Sequence, residues 1–291
     1  MVNDRIYEDC YSLRLSKSDF TRLSHFIQSR IGIKMPLTKL NMVEARLRKR
    51  LKDLKINSYA GYCDYLFTPE GMANELEKFI NVITTNKTDF FREPDHFDFL
   101  IRQAVPDLIT ANGSGVKRRL TLWSSACSRG NEAYTIAIVL SEFASKYPGL
   151  TFDYIILATD ISTHVLEMAQ SAVYNHEEIT SMSYDLKKKY FLRSKDREKN
   201  LVRAVSEIRN KVKFRQLNLM DNDFKLREPM DIIFCRNVII YFDKKTQNEL
   251  ISKLCRHLKE DGYLFMGHSE VLDCNGLPLV SVAPAVYKKV G

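Results

Sequence analysis

Directly after the apolar run Asp231-Ile232-Ile233-Phe234-Cys235 the chain places Arg236-Asn237, and four residues later Tyr241-Phe242. A cation and an amide at the end of a buried strand are costly unless they line a site. A second dense stretch, Thr84-Thr85-Asn86-Lys87-Thr88-Asp89-Phe90-Phe91-Arg92-Glu93, mixes hydroxyl, amide and guanidinium groups with two phenylalanines. A capped helix start with two core Phe explains the aromatics but not the polar density. At a domain junction such a segment forms a wall of a cleft. Asp160 closes the apolar run Ile155-Ile156-Leu157-Ala158-Thr159, where an acid can hold ribose hydroxyls or cap the helix beginning near Ser162. The loop Ser125-Ala126-Cys127-Ser128-Arg129-Gly130-Asn131-Glu132 has small residues that let backbone approach a nucleotide-like ligand, although a plain strand-to-helix turn also explains it. It carries neither GxGxxG nor GxxxxGK[ST], so a P-loop is excluded and the usual dinucleotide fingerprint is absent. Gln216-Leu217-Asn218-Leu219 closes a third apolar run.

Other chemistries find little support. The six histidines (His25, His96, His164, His176, His257, His268) show no HExxH and no tight cluster, so no metal is expected. The six cysteines (Cys10, Cys63, Cys127, Cys235, Cys255, Cys274) contain no CxxC and read as reduced, structural thiols.

The elements that must position these residues fall into two textures. Residues 1–83 read as helical: Phe20, Leu23, Ile27 and Ile31 form a stripe ending at Gly32, Ser58 caps a second stripe, and Met72, Leu76, Phe79, Ile80 and Ile83 share a face. Segment 84–100 lines the site. From 101 to 291 apolar strands alternate with helices, which signals a parallel sheet with crossover helices. Strands are expected at Arg119–Ser124, Tyr154–Thr159, Val212–Leu217, Met230–Cys235 and Gly262–Met266. Helices are expected at Glu132–Lys146, Thr163–Ala172 and Lys244–Lys259, with a closing antiparallel hairpin at Leu279–Lys289. A small basic excursion with short strands is inserted at about 187–215.

Composition bounds the answer. With 291 residues, 45% of them hydrophobic and 27% charged, the chain is globular rather than disordered. No run of about 18 uncharged apolar residues could span a bilayer. The acidic start Met1–Asp9 lacks a secretory pattern, so a cytoplasmic protein is expected. The net charge of +8 concentrates in two places. Lys34, Lys39, Arg46, Arg48, Lys49, Arg50, Lys52 and Lys55 stand against only Glu44 and Asp53, on a helix whose stripe is Leu40, Val43, Leu47, Leu51 and Leu54. Lys187–Arg215 holds twelve basic residues against Asp196, Glu198 and Glu207. Such surfaces attract phosphate, anionic lipid or an acidic protein; a merely solvated helix face is the competing explanation.

Taken together, Thr84–Glu93, Trp123–Tyr134, Ala158-Thr159-Asp160-Ile161, Ile233–Val238 with Ile240-Tyr241-Phe242, and Gly267-His268-Ser269-Glu270 closely resemble the chemotaxis receptor glutamate O-methyltransferases, in order, from about Phe20 to the C-terminus. The resemblance implies an α/β fold: a class I S-adenosylmethionine-dependent methyltransferase, Rossmann-like with a mostly parallel sheet, a small N-terminal all-helical domain and an inserted β-subdomain. It implies methyl transfer from S-adenosylmethionine to chemoreceptor glutamates, leaving S-adenosylhomocysteine. Carried over by position, Asn86, Thr88, Arg92, Glu132, Asp160, Asn218, Leu219, Arg236 and Asn237 would bind the cofactor, and Arg92 and Tyr241 would lie by the transferred methyl. The partner would be the cytoplasmic helical region of chemoreceptors, met by the basic helix 40–55 with the β-subdomain as a second contact. No nucleic acid, no membrane insertion and a monomer are expected.

Two departures stand out. Gly130-Asn131-Glu132-Ala133-Tyr134-Thr135 replaces the family's Gly-Glu-Glu-Pro-Tyr-Ser-like run, with Arg129 where a small hydroxyl residue is common. The turn Ser194–Asn200 is charged and lacks the glycines of peptide-binding versions, which argues against docking of a receptor tail. Competing functions are a non-catalytic S-adenosylmethionine-binding scaffold or sensor, motivated by the altered Arg129–Ala133 loop and opposed by Arg92 and Tyr241, and an RNA or DNA methyltransferase. The latter lacks an Asn-Pro-Pro-Tyr-type motif and aromatics interleaved with its basic patches.

Overall fold

In the computed structural model, which describes residues 13–149, 151–196 and 198–291, hydroxyl caps start three helices of the first unit. Cys10, the acidic start and Arg197 of the charged turn lie outside the described residues. Ser16, Ser58 and Thr68 accept the N–H groups of Asp19, Gly61 and Gly71 at 3.0 Å each. They open helices α1 (Lys17–Ile31), α3 (Tyr59–Leu66) and α4 (Pro69–Asn74); α2 (Leu40–Leu54) and α5 (Leu76–Ile83) complete the set. Gly32, at φ 76, ends α1 in the left-handed conformation that glycine tolerates. The expected stripe from Met72 to Ile83 is interrupted at Glu75, which is fully buried. Arg50 grips both Glu75 carboxylate oxygens at 2.7 Å and Tyr62 donates its hydroxyl at 3.0 Å, so the chain bends to bring this acid inside.

The same contacts correct the charge reading of α2. Arg50 pairs with Glu75, Arg48 with Glu44 at 2.7 Å, and Arg46 donates to the Ile83 and Thr84 carbonyls. The exposed basic surface is narrower: Lys34, Lys39, Lys49, Lys52 and Lys55. The segment Tyr241–Asp243 belongs to this helical unit. Phe242 bridges Ile33, Lys34 N–H donates to the Tyr241 carbonyl at 2.7 Å, and Gln28 donates to Asp243 at 2.8 Å.

The second unit comprises residues 86–240 and 244–291. It opens with helix that apolar periodicity did not anticipate: α6 (Asp95–Phe99) and α7 (Val105–Asn112) on either side of a wide π turn, Leu100–Ala104. Then come β1 (Leu120–Ser124), α8 (Asn131–Ser145), β2 (Tyr154–Asp160) and α9 (Thr163–Ser171). After an excursion, β6 (Val212–Gln216), β7 (Met230–Cys235), α12 (Lys244–Arg256), β8 (Leu258–Met266), β9 (Leu279–Ala283) and β10 (Val286–Lys289) follow. The sheet order is β6-β2-β1-β7-β8-β10-β9, parallel through β8 and antiparallel for the closing hairpin. Strands on one side of β1 precede β7 and those on the other follow it, so the switch point, where open α/β sheets bind ligands, lies between β1 and β7. Register aligns the ends: Ser124 faces Ala158 and Phe234, and Asp160 faces Gln216.

The excursion is a separate three-stranded antiparallel sheet, β3 (Val173–Asn175), β5 (Leu201–Ala204) and β4 (Phe191–Arg193), with α10 (Tyr184–Tyr190) before β4 and α11 (Ser206–Arg209) after β5. It begins at Val173, upstream of the expected 187, and Val212–Gln216 belongs to the main sheet. Phe90 fixes it from the dense segment, packing edge-on against Tyr174 at 4.9 Å and Phe191 at 5.5 Å.

One buried acid ties the opposite, amino-terminal end of the sheet. Asp231 is fully buried and accepts from Arg118 at 2.5 and 2.9 Å, Thr121 N–H and Oγ1 at 2.9 Å each, Ser114 at 3.2 Å and Lys259 at 3.3 Å. Burial pushes its pKa up, but the Arg118 hydrogen bond and the other partners outweigh this and hold it below the ordinary carboxylate value. Asp231→Ala, which strands these donors, is expected to cost about 3 kcal/mol of stability at neutral pH. Because the folded pKa is depressed, the contribution is present above the unfolded pKa and is lost as pH falls through the folded one. Denaturant unfolding at pH 7 and pH 3 should therefore show a gap between wild type and variant that shrinks in acid.

Candidate active site at the carboxyl ends of the parallel strands

The site is assembled from four strand ends and the segment 86–93. After β1, Ser124 Oγ donates to Glu132 at 2.7 Å. After β7, the buried Arg236 donates from Nη1 to the other Glu132 oxygen at 2.9 Å and from Nη2 to Glu93 at 2.9 Å and to the Arg92 carbonyl. Asn237 Nδ2 reaches the second Glu93 oxygen at 3.2 Å. Glu132, Arg236, Asn237 and the Arg92 backbone thus meet in one network. Its centre, Glu93, lies inside the dense segment but was not singled out by sequence.

Asp160 and Asn86 meet at Ser128. The Ser128 N–H donates to Asp160 at 2.9 Å and its hydroxyl to the Asn86 carbonyl at 2.9 Å, with Ser128 itself at φ 48. Asp160 also accepts the Ser162 N–H at 3.0 Å, while the N-cap of α9 is Ser162, whose hydroxyl accepts the Val165 N–H at 3.4 Å, so Asp160 braces the turn before α9 rather than capping the helix. Burial raises its pKa despite the opposing Ser162 and Ser128 N–H groups. Asn218 accepts the Met220 N–H at 3.0 Å, Leu219 is buried and Thr88 is half-buried. Tyr241 is placed by the helical unit.

A second pin holds the Arg236–Ile240 stretch. Glu270, buried, accepts the N–H groups of Asn237 at 2.7 Å, Gly267 at 2.8 Å and Ile240 at 3.3 Å. A Cβ on Gly267 would stand 2.5 Å from Asn237 Nδ2, so only glycine fits. The signal for Glu270 was present as Gly267-His268-Ser269-Glu270, an acid three residues after a glycine at a strand end.

The histidines correct one expectation, since Glu93, His96 and His268 do cluster, with three ligating atoms within 4.8 Å of one another. Sequence spacing could not show this because the two histidines come from opposite ends of the second unit. Both Glu93 oxygens already accept from Arg236, Asn237 and the His268 N–H, and the guanidinium 2.9 Å away would repel a cation. His96 is buried, and burial with Arg236 nearby lowers its pKa to about 4, so it is neutral at pH 7. Cys127 and Cys235 are buried with raised pKa values and offer no thiolate nucleophile. The five described cysteines are unpaired.

The family model "CheR methyltransferase, SAM binding domain" matches residues 86–282, and "CheR methyltransferase, all-alpha domain" matches 18–84. The chain belongs to the CheR methyltransferase family. It is 37% identical over 278 residues to a chemotaxis protein methyltransferase of Borreliella burgdorferi, covering 96% of each chain. It is 40% identical over 258 residues to one of Escherichia coli, covering 89% of this chain and 86% of the other. A chemotaxis protein methyltransferase 2 of Pseudomonas aeruginosa is 38% identical over 256 residues, 88% and 87% of the two chains.

The methyltransferase's strand ends fit S-adenosylmethionine chemically. Glu132 and Asp160 offer acceptors for an ammonium and for ribose hydroxyls. Arg236 Nε, buried just after β7, and the buried amide of Asn131, at the start of α8, have no hydrogen-bond partner among the described residues. Gly130, at φ 84, keeps its turn tight where a Cβ would come 3.0 Å from the Ala169 Cβ. Arg129, the departure in this loop, ion-pairs with Glu178, and Tyr174 donates to its carbonyl at 2.8 Å. The methyltransferase therefore uses Arg129 to tie the loop to the small sheet. Among the described residues no helix is long and apolar enough to cross a membrane.

Proposed function

We propose that the protein transfers the methyl group of S-adenosylmethionine to glutamate side chains of chemoreceptors, forming methyl esters. The observation that carries the reading is the network at the switch point, in which Arg236 joins Glu132 after β1 to the backbone of Arg92. When bound, S-adenosylmethionine supplies an electrophilic methyl on a sulfonium. The acceptor needs no general base, because a glutamate of pKa near 4.3 is ionised at neutral pH. The chain's task is positioning. Arg92 receives the acceptor carboxylate as a fork, and Tyr241 offers a hydroxyl donor. Glu132, Asp160, Asn86, Thr88, Asn218, Leu219, Arg236 and Asn237 hold the donor, with Asp160 at the ribose. The exposed lysines of residues 34–55 steer a glutamate-rich receptor helix toward the protein, and the basic small sheet adds a second attractive surface.

The test is transfer of labelled methyl from S-adenosylmethionine to a soluble chemoreceptor cytoplasmic fragment. Label released by mild alkali, as an ester requires, is the expected result. Tight binding of S-adenosylhomocysteine without any transfer to receptor would overturn the reading.

A further inference from the structure

Arg92 is flanked by two residues in an unusual conformation. Phe91 has φ 54 and Glu93 has φ 56, in the left-handed region that side chains other than glycine seldom adopt. Such strain persists only where the surroundings fix it on both sides. On the Phe91 side, its N–H donates to Thr135 Oγ1 at 3.2 Å and its ring packs edge-on against Phe97 at 6.0 Å. On the other side the restraint is the Glu93 carboxylate. It collects Arg236 Nη2 at 2.9 Å, Asn237 Nδ2 at 3.2 Å and the His268 N–H at 3.3 Å, drawing on the end of β7 and the loop after β8. Arg236 closes the loop by also donating to the Arg92 carbonyl. The Arg92 side chain has far less to hold it: Nη1 reaches the Lys87 carbonyl at 3.4 Å. Its direction is set by the backbone that carries it.

We infer that Glu93 is a positioning residue for methyl transfer, holding the strained Phe91-Arg92-Glu93 backbone so that the Arg92 guanidinium faces the acceptor. The inference rests on the proposed methyltransferase reading. Both carboxylate oxygens face donors, so glutamine, with one oxygen and one NH2, can accept on one side only and loses the charge that pairs with Arg236. Arg236 keeps its bond to Glu132 when Glu93 changes, so donor binding should survive better than turnover.

The test is a double-mutant cycle on the full chain with wild type, Glu93→Gln, Arg92→Lys and the double variant, reading kcat and KM on a receptor fragment and the Kd of S-adenosylhomocysteine. Glu93→Gln is expected to lower kcat about ten- to hundredfold. The Kd should rise no more than about threefold, and in the Arg92→Lys background Glu93→Gln should add less than about threefold, because its effect passes through Arg92. Effects that multiply, or a loss of affinity equal to the loss of turnover, would overturn the inference. Should Gln prevent folding, Glu93→Asp, which keeps the charge but withdraws the oxygens by one methylene, is read against the same thresholds. Wild-type protein inactive on every receptor fragment overturns the methyltransferase reading itself, whereas an active wild type with a multiplicative cycle overturns the role of Glu93 alone.

Discussion

Arg92→Ala is expected to reduce methyl transfer about a hundred- to a thousandfold while leaving the fold and its thermal midpoint nearly unchanged. The separation follows from what each part of the residue does. Its carbonyl anchors Arg236, and alanine keeps that carbonyl. Its half-buried guanidinium contributes a long hydrogen bond to Lys87, so removing it leaves no stranded buried charge. What is lost is a fork matched to a carboxylate, and with an already ionised acceptor no proton transfer can compensate. Arg92→Lys should fall between, retaining the charge without the fork. The check is turnover on a receptor fragment alongside a melting curve. Turnover unchanged in the alanine variant would remove Arg92 from the chemistry.

The strand ends were legible because each buried parallel strand is a short apolar run and the residue breaking it must be polar. Ser124, Asp160, Asn218 and Arg236-Asn237 announce themselves in this way. The helical first unit was legible through stripes and hydroxyl caps such as Ser58. What escaped is what only tertiary contact decides. Glu75 reads as one more surface acid on a helix, until Arg50 and Tyr62 pull it inside and break that helix in two. Arg46, Arg48 and Arg50 look like an exposed cationic face because an apolar stripe says nothing of which charges find partners. The π turn at Leu100–Ala104 shifts the helical register that periodicity depends on. The small sheet reaches back to Val173 through a three-residue strand, too short to carry an alternation of its own. Glu93 escaped because its role lies in contacts to residues more than 140 positions away, and a positive φ outside glycine leaves no mark on the sequence.

Asp160→Ala is expected to weaken S-adenosylhomocysteine binding about ten- to a hundredfold, the order of losing a charge-assisted hydrogen bond in a sheltered site. Two effects act together. The carboxylate, 8% exposed, accepts the backbone N–H groups of Ser162, Ser128 and Ile161, which leaves lone-pair capacity for a ribose hydroxyl. Its removal also frees Ser128 from the left-handed conformation at φ 48, so the turn that brings Ser128 against Asn86 loses a restraint. Asp160→Asn separates the two: the amide can still accept one loop N–H but presents a donor on the other side and carries no charge. A ribose contact predicts that Asn binds nearly as poorly as Ala, whereas a purely local brace predicts that Asn recovers most of the affinity. Because burial raises the Asp160 pKa, wild-type affinity should also begin to fall on acidification at a higher pH than an ordinary aspartate would give, and the Asn variant should lack that dependence. Titration calorimetry across pH 4 to 7 measures both. Wild-type affinity in the alanine variant would leave Asp160 as a brace of the turn before α9 and nothing more.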